Sequence, residues 1–416
     1  MSTSLDAVAR DAWPLDPRIR HLNHGSFGAC PRPVLAAQQR WRARMEREPV
    51  RFLGRELEHR LDAARRHVAA FVGADPANLV FVANATTGVA TALGSLRLRP
   101  GDELLTTDHE YNATLNALGA VARRDGARIR VARIPVPLAG PDEAVEAVVR
   151  EVTPRTRLAL VSHVTSPTAV VLPIRRLVAE LDRRGVDTLV DGAHAPGMVP
   201  LHLERLGAAW YTGNGHKWCC APKGAAFLWA RPDRQADLRP LVTSLGANDP
   251  RTDRSRLWLE FDWTGTDDPT AVLAWPAALE QVAGLVPGGW PEVMRRNHAL
   301  IVSAQRRLSR LPGIVPAAPA SMLGSMAALA LPVRPGADAR ALHASLVDAG
   351  FEVPIVEWPV PAARALRSRH QLRDRARSRG PVEPRALVRL SAQLYNDIAE
   401  YRALAAALVD RALGPG

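Results

Sequence analysis

Between about residues 75 and 230, short apolar runs of strand length alternate with longer stretches whose apolar residues recur at helical spacing. The runs LVFVAN (79–84), ELLTT (103–107), RIRVARIP (128–135), LALVSH (158–163), DTLVD (187–191), AWYTG (209–213) and AAFLWA (225–230) read as strands. PDEAVEAVVREV and PIRRLVAELDRRG read as intervening helices, the second closing on a glycine of the C-cap type. This alternation predicts βαβ units and an α/β fold, with a mostly parallel sheet sandwiched by helices. From about residue 290 the pattern becomes α+β: a long helix around MRRNHALIVSAQRRLSRL, strands near MAALALPV and ALVRLSA, and a closing helix DIAEYRALAAALVDRAL. A large domain over 16–285 and a smaller C-terminal domain over 286–416 are therefore expected. The stretch 244–256 reads as irregular, and the strongly basic 361–386 as an exposed loop.

Composition adds exclusions. With 416 residues, 47% hydrophobic and 23% charged, the chain is that of an ordinary globular protein with ample core. The N-terminal MSTSLDAVARDAW lacks an apolar targeting segment and no run of apolar residues is long enough to span a bilayer, so a cytoplasmic location is expected. Cys30, Cys219 and Cys220 suit neither a disulfide framework nor a zinc site, and no metal is expected. The net charge of +12 raises nucleic acid as a partner, but arginines interleave with acids, as in RELEHRLDAARRH, which is the pattern of a solvated face. Lysine occurs only at Lys217 and Lys223, both in GNGHKWCCAPKG, and arginine supplies every other basic residue. Lysine can give up its proton and act as a base or a Schiff-base nucleophile, which arginine cannot.

Ligands of open parallel sheets bind beyond the carboxyl ends of the strands. The polar residues there are Asn84, His163, Asp191 and the GNGH segment. ANATTGVATAL opens a helix straight after a strand, placing Thr86, Thr87 and backbone N–H groups where an anion can bind. Neither a P-loop pattern nor GxGxxG at a strand-to-helix junction is present, which disfavours ATP and dinucleotides. A lysine, an anion-binding helix end and a carboxylate to hold a protonated ring nitrogen are together what pyridoxal 5'-phosphate requires.

DGAHAPG and TGNGHKW, preceded by NATTGVA and SHVTSPT and followed by WTGTDD, resemble the class V (fold type I) pyridoxal-phosphate aminotransferase superfamily. LNHGSFGACPRPV, MEREPVRFL and RLSAQLYN are most similar to its isopenicillin N epimerase-like branch. The resemblance implies Lys217 as the Schiff-base lysine and Asp191 as partner of the pyridine nitrogen. It puts His194 and His163 at the cofactor's phenolic oxygen and Tyr111 in the ring that stacks on the pyridine. Thr86, Thr87 and His216 match phosphate contacts, as does Thr266 reaching in from a neighbouring subunit, so a homodimer is implied. Asn214 stands where a serine is common, and its amide N–H can replace the hydroxyl. Arg389 matches the arginine that forks the substrate α-carboxylate, with Asn23 and His24 near the substrate. The implied reaction is epimerase-like, at Cα of an amino acid in specialised metabolism. The alternatives are a C–S lyase, a decarboxylating deaminase or an aminotransferase acting on a cysteine conjugate or other amino acid. Because no cysteine lies beyond Cys220, desulfurase chemistry through a cysteine on a late loop is disfavoured. The arginine-rich stretch 361–379 is expected to be a surface loop, or else a clamp for an anionic substrate group.

Overall fold

The computed structural model describes residues 7–333, 337–361, 363 and 385–413. A short strand, β1 (Arg20–His21), opens the chain. The apolar runs then form β2 (Leu79–Val82), β3 (Glu103–Thr107), β4 (Arg128–Ala132), β5 (Thr156–Ser162), β6 (Asp187–Asp191), β7 (Trp210–Asn214) and β8 (Ala226–Ala230). They make one seven-stranded sheet in the order β2-β8-β7-β6-β5-β3-β4. Only β8 runs against its neighbours; the pairs from β7 through β4 are all parallel. The strand expected over 128–135 stops at Ala132 because it lies at the sheet edge, and the Ile134 N–H donates to the Asp108 carboxylate instead of a ladder partner.

The inner strands are apolar at almost every position because both faces are covered. Leu158, Leu160 and Leu189 point into one buried cluster, while Ala159, Val161 and Val190 point into the other. This is the two-residue alternation of a pleated strand with both faces buried. Among the helices, Ala85–Ser95 lies hard against β7, since a Cβ on Gly88 would sit 2.1 Å from the Thr212 hydroxyl. The glycine lets that helix begin close to the strand ends.

The C-terminal part contributes β9 (Val315–Pro316), β10 (Met326–Ala330), β11 (Phe351–Glu352), β12 (Ile355–Trp358) and β13 (Arg385–Ser391). Four of these form an antiparallel sheet, β12-β13-β10-β9, whose core is shared with the helices Gly289–Leu308 and Ile398–Leu408. The remaining strand, β11, pairs in parallel with β1 and so ties the N-terminal segment to this part of the chain. Of the arginine-rich 361–379, only residues 361 and 363 are described; the rest lies outside the described residues.

A buried charge cluster fixes the segment leading to WTGT. The Arg65 guanidinium bonds Asp62 and Asp262, and Arg254 bonds the same two carboxylates at 2.9 and 2.7 Å. Both guanidinium groups lie over the Trp258 ring. Each cation thus faces the same two anions, with Glu58 a further 3.8 Å contact of Arg254, and removing Asp262 leaves buried charge under-compensated. Asp262→Ala is expected to destabilise the protein by about 3–5 kcal/mol, read as a lowered chemical-denaturation midpoint. A drop under ~1 kcal/mol would count against the cluster's importance.

Candidate active site

Because β3, β5, β6 and β7 run the same way, their carboxyl ends share one edge of the sheet. That edge carries Tyr111 shortly after β3, His163 directly after β5, Asp191 closing β6 and Asn214 closing β7. Asp191 is buried, accepts the Ala193 N–H at 3.0 Å, and is pushed up by burial while that N–H and Lys217 pull it down. The His163 backbone N–H donates to the Asp191 carbonyl at 2.8 Å, and its Nδ1 meets the Tyr211 hydroxyl at 2.9 Å. Burial lowers that ring to about 4, so it is neutral.

Lys217 follows β7 by three residues. Burial, reinforced by the Arg389 cation and opposed by Asp191, lowers its amine to about 7. Its Nζ lies 3.1 Å from Nε2 of His194. The Trp218 indole N–H donates to His194 Nδ1 at 3.4 Å, so the neutral ring carries its proton on Nε2. An N–H therefore faces the amine, and the lysine nitrogen accepts it.

The N-terminal motif closes over this loop. Nε2 of the fully buried His24 donates to the Lys217 carbonyl at 3.0 Å, and its Nδ1 pairs with the Tyr395 hydroxyl at 3.0 Å. One ring nitrogen thereby holds the lysine's own backbone while the other is fixed by Tyr395. Gly28 has φ +71°, and a Cβ there would lie 2.1 Å from the His216 carbonyl oxygen, so only glycine fits. The second lysine, Lys223, donates to the Gly28 carbonyl at 2.9 Å and fastens the segment from outside.

Arg389, on β13, is buried and makes no ion pair among the described residues. Its Nη1 donates to the Ser166 carbonyl at 2.8 Å and hydroxyl at 3.3 Å, and its Nη2 to Ser26 Oγ at 2.7 Å and Asn23 Oδ1 at 3.3 Å. The Asn23 amide is turned this way because its Nδ2 donates to Glu352 at 3.0 Å. Nε of Arg389 is buried with no acceptor among the described residues. A buried guanidinium held only by neutral groups is a site for an anion.

Anion-binding features also gather at the helix Ala85–Ser95. Its first amide, Ala85 N–H, donates to Asn214 Oδ1 at 2.8 Å, leaving Nδ2 as the end of that side chain able to meet an anion. Asn84 caps the helix by accepting both the amide and the hydroxyl of Thr87, at 2.9 and 3.1 Å. Thr86, between them, is exposed. His216 Nδ1 donates to the Ala225 carbonyl at 3.1 Å, and burial with Lys217 close by lowers the ring to about 4. Its Nε2 can donate to a phosphate only after gaining a proton, which the anion itself favours.

Lys217, Asp191, His194, His163, Asn214, His216 and Arg389 are thus drawn together, with Tyr111 half exposed beside Arg389. Thr266 stands apart on an exposed bend, with no hydrogen bond to this group among the described residues. Ser26, Ser166, Tyr211 and Trp218 were not singled out by sequence reasoning. The first two lie inside LNHGSFG and SHVTSPT, so the motifs carried a signal that single residues did not. A groove of about 560 Å³ lined by Trp41, His59, Arg60 and Leu273 shares none of these residues.

The arrangement fits pyridoxal phosphate in its chemistry: an amine lowered to about 7, a buried carboxylate and a helix N-terminus on one edge, with a guanidinium that has no ion-pair partner among the described residues facing them. Comparison with known proteins agrees. An isopenicillin N epimerase from Amycolatopsis lactamdurans is 40% identical over 368 residues, covering 85% of this chain and 91% of its own. A probable chloroplastic L-cysteine desulfhydrase from Arabidopsis thaliana is 31% identical over 409 residues, covering 94% and 82%. Among solved structures, the cystine C–S lyase C-DES in complex with cysteine persulfide superposes with a TM-score of 0.78 at 22% identity, over 96% of this chain and 99% of its own. The family model for class-V aminotransferases matches residues 29–400, and with those identities the chain belongs to the class-V aminotransferase family of pyridoxal-phosphate enzymes.

Proposed function

We propose that the protein is a pyridoxal-phosphate enzyme that moves the Cα proton of an amino-acid substrate, with epimerisation as its reaction. The observation that carries this reading is the Lys217 amine, held near neutrality by burial beside Arg389 and 3.1 Å from His194. An amine poised near 7 can take and return a proton at physiological pH. When bound, the cofactor supplies a ring that withdraws electrons from Cα and acidifies its hydrogen. Asp191 is the group to hold a proton on the ring nitrogen, and the His194 Nε2–H suits the phenolic oxygen. Thr86, Thr87, Asn214 and His216 would hold the phosphate, and Tyr111 would cover the exposed ring face. Arg389 would bind the α-carboxylate through its outer nitrogens, orienting the Cα–H bond toward Lys217. Asn23 and Ser26 position Arg389, and His24 positions the lysine backbone.

A second reading, C–S lysis, is favoured by the 31% identity to a desulfhydrase across nearly the whole chain. Desulfurase chemistry through a cysteine nucleophile has no support: all three cysteines are buried, and burial pushes Cys30 to about 12 and the other two thiols higher. The unpaired thiols fit a reducing, cytoplasmic compartment. We take the enzyme to be a homodimer with Thr266 reaching the partner's phosphate site, a reading supported by the exposed Phe27, Leu241 and Leu245.

The deciding experiment incubates holoenzyme in deuterated water with a panel of amino acids. Deuterium at Cα with inverted configuration, and neither keto acid nor thiol released, is the expected result; released thiol would replace epimerisation by lysis, and Lys217→Ala should abolish either. The pH dependence of cofactor capture by cofactor-free protein should have its midpoint near 7. Lysine's folded-state value is lowered, so the reactive neutral amine gains as pH rises through that midpoint. Arg389→Met removes a neighbouring cation, and the midpoint should move upward; an unchanged midpoint would rule out the proposed coupling.

A further inference from the structure

One buried acid beside the site has no part in the reading above. Glu110 is fully enclosed next to Tyr111, in the turn after β3. Its Oε1 accepts the Thr107 hydroxyl at 2.8 Å and the Ser162 N–H at 3.1 Å, while Oε2 is bonded to the Ser162 hydroxyl. Ser162 is the last residue of β5, and its Cα is paired in register with that of Asp191 on β6. Glu110 therefore reaches across the end of β5 toward the carboxylate assigned to the ring nitrogen.

The contact with Ser162 can serve either protonation state without movement. When the acid is ionised, the serine hydroxyl donates to Oε2; when it is protonated, Oε2–H donates to the serine oxygen. Two donors on Oε1 remain in place throughout, since Thr107 Oγ1 can accept the His109 N–H while donating to Glu110. No arginine or lysine pairs with Glu110 among the described residues. The ionisable groups of this corner are Asp108, His109 and Tyr111 on its own turn, His163 after β5, Asp191 on β6 and Tyr211 on β7, with Arg389 approaching Tyr111 from β13. His109 and His163 are held neutral by burial. Asp191 is the neighbour whose charge Glu110 feels.

We propose that Glu110 is a positioning acid behind Asp191, whose loss or gain of a proton changes the charge that Asp191 presents to the cofactor. Burial raises Glu110 to about 7, against the Ser162 and Thr107 hydrogen bonds that lower it, so the switch falls in the physiological range. Ionised, Glu110 adds a second negative charge to the corner, which strengthens the hold of Asp191 on a proton and favours positive charge on the ring and its link to Lys217. Protonated, it withdraws that support. The enzyme's electron sink thereby acquires a pH dependence from a residue that touches neither substrate nor cofactor. This rests on the assignment of Asp191 made above.

The test uses Glu110→Gln, which keeps the side-chain shape and both classes of hydrogen bond but cannot ionise. In holoenzyme, the pH midpoint of the cofactor's visible absorbance band should fall by about one unit in the variant, the size expected for losing one charge at this range in a protein interior. In cofactor-free protein, Glu110 contributes fully to stability below its unfolded value of 4.5, and that contribution is lost as pH rises to about 7. The wild-type melting temperature should therefore drop relative to Glu110→Gln by roughly a few degrees between pH 5 and 8. A melting difference independent of pH would overturn titration of Glu110, and an unmoved absorbance midpoint with an intact fold would overturn its coupling to the cofactor. Should Glu110→Gln fail to fold, Ser162→Ala keeps the acid but raises its proton affinity; it should shift the absorbance midpoint in the same direction by less, and no shift overturns the proposal. Asp191→Asn tests the underlying assignment separately: if it leaves the spectrum unchanged while the stability difference persists, the assignment of Asp191 fails and titration of Glu110 stands.

Discussion

Burying Lys217 and Arg389 close together removes two cationic side chains from water, and among the described residues neither receives an ion pair in return. Solvation is lost on both, and their repulsion adds to the cost. The lysine responds by holding its proton far less tightly, its amine falling to about 7; the arginine, whose ordinary value is so much higher, stays charged even when burial brings it down to about 10. In the proposed function one member of the pair is the base and the other the anion receptor. Much of the surrounding architecture supports this unfavourable juxtaposition with neutral hydrogen-bond partners: a carbonyl, two hydroxyls and an amide around Arg389, and an imidazole beside Lys217.

The sheet alone does not assemble both halves. Parallel strands deliver Asp191, His163, Asn214 and the lysine loop to one edge, but Arg389 arrives from the second sheet and its acceptors from elsewhere. The N-terminal segment joins them. It pairs through β1 with β11 in the C-terminal part, touches Arg389 through Asn23 and Ser26, and grips the lysine loop through His24 and Gly28. Lys223 closes the arrangement on the outside.

The strands and the chemistry at their ends were legible because buried parallel strands are written as apolar runs, and a polar residue that ends one has few structural reasons to be there. Lys217 stood out against a background of arginine, and the fold buries it with its amine lowered to about 7. Less could be read where a residue's importance depends on a partner distant in sequence. Glu110 looks like one more acid in DHEYNAT until β5 places Ser162 against it, and Lys223 has no evident purpose until Gly28 folds back 195 residues away in sequence. His24 is enclosed with both ring nitrogens in hydrogen bonds, something no local pattern discloses. Residue type and spacing report strand ends well; they do not report which loops return to them.

The four groups that hold the Arg389 guanidinium come from two short segments, Asn23 to Ser26 and Ser166, neither of which carries Lys217 or Asp191. The N-terminal segment therefore touches both halves of the proposed site, while Ser166 touches only Arg389. Under the proposed roles, a change at Ser166 can retune which acids are accepted without reaching the lysine, whereas a change beside His24 acts on grip and base together, so the two loops offer unequal routes by which one catalytic centre could diversify.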